Sequence, residues 1–139
     1  MNQSTSSAVH QLNIEMNRVA DRILQAELDV SYSRFYCLLN VQQYGGGTQH
    51  DIATEMGYSD PAISKMLGEL SESGYVEVTK DPRHGRRRIV ELTREGQEIV
   101  SKSLELLDEC FADAVRIAGV KESVYYQQTQ ALIAAMKQK

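Results

Sequence analysis

The chain has 139 residues, a length that suits one domain or one tightly integrated unit and leaves little room for a two-domain enzyme. With 42% hydrophobic and 24% charged residues and only two prolines, the composition excludes a disordered, collagenous or low-complexity chain and predicts a buried core. The net charge of −4 speaks against a nucleic-acid partner on average, but the charges are unevenly placed. Between Lys80 and Arg94, six basic residues (Lys80, Arg83, Arg86, Arg87, Arg88, Arg94) face two acidic ones (Asp81, Glu91), so this stretch carries +4 and the remainder −8. A compact basic element on an acidic body focuses an anionic partner onto one place. No apolar run approaches the roughly 18–20 residues that span a bilayer, and the polar start Met1–Ser7 lacks the features of a secretory signal. A soluble, cytoplasmic protein is expected. Cys37 and Cys110 are far apart without C-x-x-C spacing, and His10, His50 and His84 are scattered, so no disulfide scaffold, metal site or cofactor is expected.

Residues 8–28 place Val9, Leu12, Met16, Val19, Ile23 and Leu24 at three- and four-residue intervals, the stripe of an amphipathic helix. Asp29 to Ser31 interrupts it. Ser31 caps a second helix to about Tyr44, with Phe35, Cys37, Leu38 and Leu39 turned inward. Gly45, Gly46 and Gly47 end that helix in a turn without side chains to hold it; a phosphate loop would need a preceding strand and a following Lys-Ser/Thr, which are missing.

Thr48 caps a short helix with Ile52, Ala53 and Met56 inside and Gly57 as its stop. Ser59 or Asp60 caps the next, Pro61 stands where its missing N–H costs nothing, and Ile63, Met66, Leu67 and Leu70 form the buried stripe until Gly74. Two short helices joined by a tight turn make a helix-turn-helix, leaving Asp60, Ala62, Ser64, Lys65, Gly68 and Glu69 on the face that would enter a major groove. The period then changes to alternation: Tyr75–Lys80 and Arg88–Leu92 read as a hairpin whose tip, Asp81 to Arg87, carries most of the basic cluster. That is a wing beside a recognition helix. After Thr93 a long helix should run to about Ala118, striped by Ile99, Ser103, Leu106, Leu107, Cys110, Ala114 and Ile117, and a last one from Glu122 to about Lys137 presents Val124, Ala131, Leu132 and Ala135. A winged helix closes its own small core, so these outlying stripes call for a homodimer interface; helices folding back on a monomer are the alternative.

In order and spacing, Thr48-x-x-x-Ile52-Ala53 through Gly57, Ser59 to Leu70 with Gly74-Tyr75-Val76, Asp81-Pro82-x-x-Gly85-Arg86-Arg87 and Leu92-Thr93-x-x-Gly96 resemble the MarR family of bacterial winged helix-turn-helix transcription regulators. The resemblance implies a mainly α fold with a small β-hairpin, in which residues 30–100 form the DNA-binding winged helix and residues 8–28 and 101–137 the dimerisation helices of a single integrated unit. It implies an obligate homodimer on pseudo-palindromic double-stranded DNA, acting as a repressor and released by a small aromatic or carboxylate effector, or in some members by oxidation. Carried onto this chain, the DNA-binding residues are Thr48, Gln49, Ser59, Ala62, Ser64, Lys65, Arg83, Arg86 and Arg87, with Arg86 at the position the family inserts into the minor groove.

Two departures bear on the reading face. Asp60-Pro61-Ala62 stands where such regulators often carry small polar or basic residues, which points to Asp60 as an N-cap rather than a base reader, although a carboxylate can accept from a cytosine amino group. His84 replaces an Asp that braces the wing arginine in the family, predicting a more positive and less rigid tip. For the effector, Tyr32 and Tyr36 with Arg18 offer apolar rings and a carboxylate clamp, although core tyrosines and a solvated arginine fit the same residues. Cys37 and Cys110 fall on apolar stripes and read as core; oxidant sensing through either is the alternative input. A winged helix used only for protein contacts is the competing class. No nucleophile with a base, carboxylate pair or metal cluster suggests catalysis.

Overall fold

The computed structural model describes residues 4–139; Met1 to Gln3, the first part of the polar start Met1–Ser7, lie outside the described residues. Six helices and one hairpin follow in the order α1 (Thr5–Leu28), α2 (Tyr32–Gln43), α3 (Gln49–Met56), α4 (Asp60–Glu72), β1 (Val76–Lys80), β2 (Arg88–Leu92), α5 (Arg94–Ala118) and α6 (Glu122–Met136). The chain divides into two compact units, Met1–Leu104 and Glu105–Lys139.

Local signals explain the boundaries. α1 begins at Thr5, three residues before the expected start at residue 8, because the Ser4 hydroxyl accepts from the Ser7 N–H, and it ends at Asp29, which takes the left-handed conformation at φ 54°. Ser31 caps α2 through Arg34 N–H. Thr48 and Asp51 form a reciprocal capping box on α3, whose end is the left-handed Gly57. β1 and β2 pair antiparallel with Val76 opposite Leu92 and Lys80 opposite Arg88. α5 opens on Thr93, whose hydroxyl accepts from Gly96 N–H at 3.0 Å and donates to the Gly74 carbonyl at 2.6 Å. The strand starts one residue after Tyr75 and the last helix ends one residue short of Lys137, otherwise as the periodicity predicts.

Leu24, Phe35, Leu38, Val41, Ile52, Ile63, Leu67, Leu70, Val76, Val90 and Val100 are buried together in the first unit. They come from α1 to α5 and both strands, so the helix-turn-helix and hairpin share one core. Met66, expected inside, is only half-buried. The α1 stripe is graded: Leu24 is buried, Val19 and Ile23 are half-buried, and Val9, Leu12 and Met16 are exposed. In the second unit Phe111 and Tyr125 pack with ring centroids 6.0 Å apart. Among the described residues, none from Glu105 onward is fully buried, and Ile117, Val124, Tyr126, Leu132 and Met136 are exposed.

Candidate nucleic-acid interface

The triple glycine is a fixed joint rather than a loose turn. Gly47 N–H donates to Tyr44 O at 2.6 Å, and Gly47 O accepts from Val90 N–H at 3.0 Å, so the segment before α3 bridges to β2. A Cβ at Gly47 would stand 2.7 Å from the Tyr44 carbonyl oxygen, which explains a glycine there. This joint holds the start of α3 against the wing. On the other side Arg34 of α2 donates to Glu69 of α4 at 3.0 Å, taking Glu69 off the free outer face.

Three elements therefore converge on one cleft of about 540 Å³, lined by Thr48, Gln49, His50 and Asp51 from the start of α3, Asp60, Pro61 and Ser64 from the start of α4, and Arg86, Arg87 and Arg88 from the wing. Its lining holds three guanidinium groups against two carboxylates. The first turns of both helices add their partial positive charge. Arg88 Nη1 is the one buried side-chain polar atom among the described residues with no hydrogen-bond partner.

The two carboxylates are both engaged. Asp51 accepts from the Thr48 backbone N–H at 3.2 Å; that bond first, the Thr48 hydroxyl next, and the charges of His50 and Arg87 hold its carboxyl below the usual range. Asp60 is not the N-cap: the Ser59 hydroxyl accepts from Ala62 N–H at 3.2 Å and caps α4, while Asp60 lies against His50 Nδ1 at 3.1 Å. Ser is equally competent as a cap and stands one residue earlier, where the backbone is still extended.

The structure brings Thr48, Gln49, Ser64, Arg86 and Arg87 into the cleft. Ala62 and Lys65 are exposed on α4, and Arg83 is exposed on the wing tip. Ser59 and Thr48 are occupied as caps. The tip is closed by Asp81 N–H to Arg87 O at 2.9 Å, Arg87 N–H to His84 O at 2.9 Å and Arg83 N–H to the Asp81 carboxylate at 2.9 Å, so Asp81 orders it despite the histidine at position 84. His50, Asp51 and Arg88 are cleft residues that the sequence did not single out. Arg88 was visible in the arginine run, yet its place in a strand concealed that it lines the cleft.

The other candidates are placed apart. Tyr32 and Tyr36 stack at 6.1 Å with planes 16° apart, and burial, then the neighbouring Tyr36, raises the Tyr32 phenol above its ordinary range. Arg18 does not join them; it pairs with Glu15 on the exposed side of α1. Cys37 is fully buried, and burial pushes its thiol up to about 11. Cys110, expected in the core, is half-buried. No group of His, Cys, Asp or Glu among the described residues has the arrangement of a metal site, and no helix among them is long and apolar enough to cross a membrane.

Two short helices at a tight turn, a two-stranded wing and a shared basic cleft define a winged helix-turn-helix. Residues 28–87 match the model of the MarR family, so the winged-helix segment is similar to that family. Its fold is similar to those of apo wild-type MarR from E. coli (TM-score 0.83, 19% identity, 96% of this chain and 98% of that one) and of the S. aureus MepR–DNA complex (TM-score 0.77, 23% identity, 99% and 100%). It is also similar to an E. coli MarR cysteine-to-serine mutant complexed with operator DNA (TM-score 0.74, 20% identity, 91% and 92%). No curated protein sequence matches the chain.

Proposed function

We propose that the protein is a dimeric, sequence-specific regulator that binds pseudo-palindromic double-stranded DNA as a repressor and is released by a small organic effector. The observation that carries this reading is the cleft in which the first turn of α4 meets three wing arginines. Phosphate contacts from a wing position a protein on a duplex, and side chains on a recognition helix read base edges. The similar folds include one bound to DNA and one bound to operator DNA. In this reading Arg86 enters a minor groove, Arg83 and Arg87 hold backbone phosphates, and Ala62, Ser64 and Lys65 face the major groove.

The homodimer is supported by exposed apolar side chains on α1 (Val9, Leu12, Ile14, Met16) and on α6 (Val124, Leu132, Ile133, Met136), which water disfavours as free surfaces. Residues 30–100 then read DNA, and residues 8–28 and 101–137 dimerise, one integrated unit in function. The effector reading rests on the stacked Tyr32 and Tyr36; a ligand carboxylate reaching Arg18 would have to displace Glu15. Anisotropy titration of a selected duplex tests the interface: Arg86→Ala and Lys65→Ala should each weaken binding about tenfold or more at physiological salt without lowering Tm. Unchanged affinity in both variants would remove this face from the function.

A further inference from the structure

With Ser59 capping α4 and Asp51 committed to the Thr48 backbone, Asp60 has neither duty. Its carboxylate instead faces His50, with Nδ1 at 3.1 Å from Oδ1 and 3.4 Å from Oδ2. The pair joins the first turns of α3 and α4 across the cleft lining, and its side chains are 75% and 65% exposed. An exposed acid on a face that meets a polyanion weakens every complex unless it has a donor to accept from. The major groove offers such donors on cytosine and adenine, but the adenine amino group is flanked by acceptors on both sides, its own N7 and the paired thymine O4, whereas the cytosine amino group has an acceptor on one side only, the paired guanine O6, and so repels a carboxylate less. The N-terminal residues of a recognition helix are the ones that reach base edges.

Resting on the DNA-binding reading above, we propose that Asp60 is a specificity-determining residue that accepts a hydrogen bond from one cytosine amino group in each half-site, with His50 as the positioning residue that holds its carboxylate. The ring fixes the carboxylate on the side of α3 and leaves oxygen lone pairs for a base. The charged groups that line the cleft around His50 are Asp51 and Asp60 from the two helices and Arg86, Arg87 and Arg88 from the wing.

The experiment is selection from a randomised duplex library with the full-length wild type, Asp60→Ala, Asp60→Asn and His50→Gln proteins, followed by anisotropy titration of the enriched duplexes. The wild type should enrich an inverted repeat with one cytosine per half-site whose replacement by thymine weakens binding about tenfold. Asp60→Ala should lose that discrimination and keep the rest of the repeat. Asp60→Asn, which preserves the side-chain shape should the alanine variant fail to fold, should move the preference toward adenine. His50→Gln should blunt the cytosine preference while leaving salt-dependent duplex binding in place. Two results overturn the inference while leaving the DNA reading intact: unchanged base preference in both Asp60 variants, or a uniform rise in affinity for all duplexes. A wild type without salt-dependent duplex binding removes the reading itself and the inference with it.

Discussion

At the residue scale, the side chains that organise the cleft do so through local hydrogen bonds whose strength can be tested one at a time. Thr48 and Asp51 satisfy each other's backbone N–H, so Thr48→Ala should destabilise the first unit by about 1 kcal/mol, seen as a Tm several degrees lower. An unchanged Tm would mean that water replaces the cap without loss. Because the folded Asp51 carboxyl titrates below its unfolded value, its contribution is fully present above the ordinary carboxylate range and is lost as pH falls through the lowered folded value. Asp51→Asn should therefore flatten the acid limb of Tm against pH below about pH 4 and lower Tm at neutral pH. Cys37, buried with its thiol pushed up to about 11, should resist an aromatic disulfide reagent at pH 7.5 until the protein unfolds. Rapid labelling of Cys37 in the native state would contradict its place in the core.

At the scale of elements, most boundaries were legible because caps and periods are written in adjacent residues: Ser31, Thr48, Gly57 and Ser59 mark helix ends, and the alternation after Gly74 marks the hairpin. What was not legible depends on partners distant in sequence. The bond between Gly47 and Val90 turns a glycine run into a joint, and the pairing of His50 with Asp60 needs the angle between two helices; neither is encoded in spacing along the chain. Gly96 belongs to the same class. A Cβ there would overlap the Tyr75 carbonyl oxygen, a backbone atom held by the Thr93 N–H at 3.0 Å. Gly96→Ala should cost about 1–3 kcal/mol through displacement of α5 from the hairpin, measurable by denaturant unfolding. Wild-type stability in that variant would show that α5 can shift without loss.

At the scale of the whole molecule, the charge pattern and the apolar pattern point to different partners. The chain is acidic overall, yet the arginines of the wing stand beside α4, and most of the large apolar side chains left exposed lie on α1, α5 and α6. If these apolar faces form the homodimer, Tm should rise with protein concentration, and Leu12→Glu with Met16→Glu should yield a monomer that binds DNA far more weakly, because two linked half-site contacts become one. Dimers that persist in that double variant would exclude this part of α1 from the interface.

The central claim, that α4 and the wing read duplex DNA in pairs, is tested most directly by selecting binding sites from a random duplex library at two salt concentrations. The account predicts an inverted repeat with half-site centres about one helical turn apart, bound with a steep fall of log K against log salt that becomes shallower by about one in Arg86→Ala. Failure to enrich any sequence, with only weak binding that vanishes at moderate salt, would contradict it and favour a winged helix whose partner is another protein.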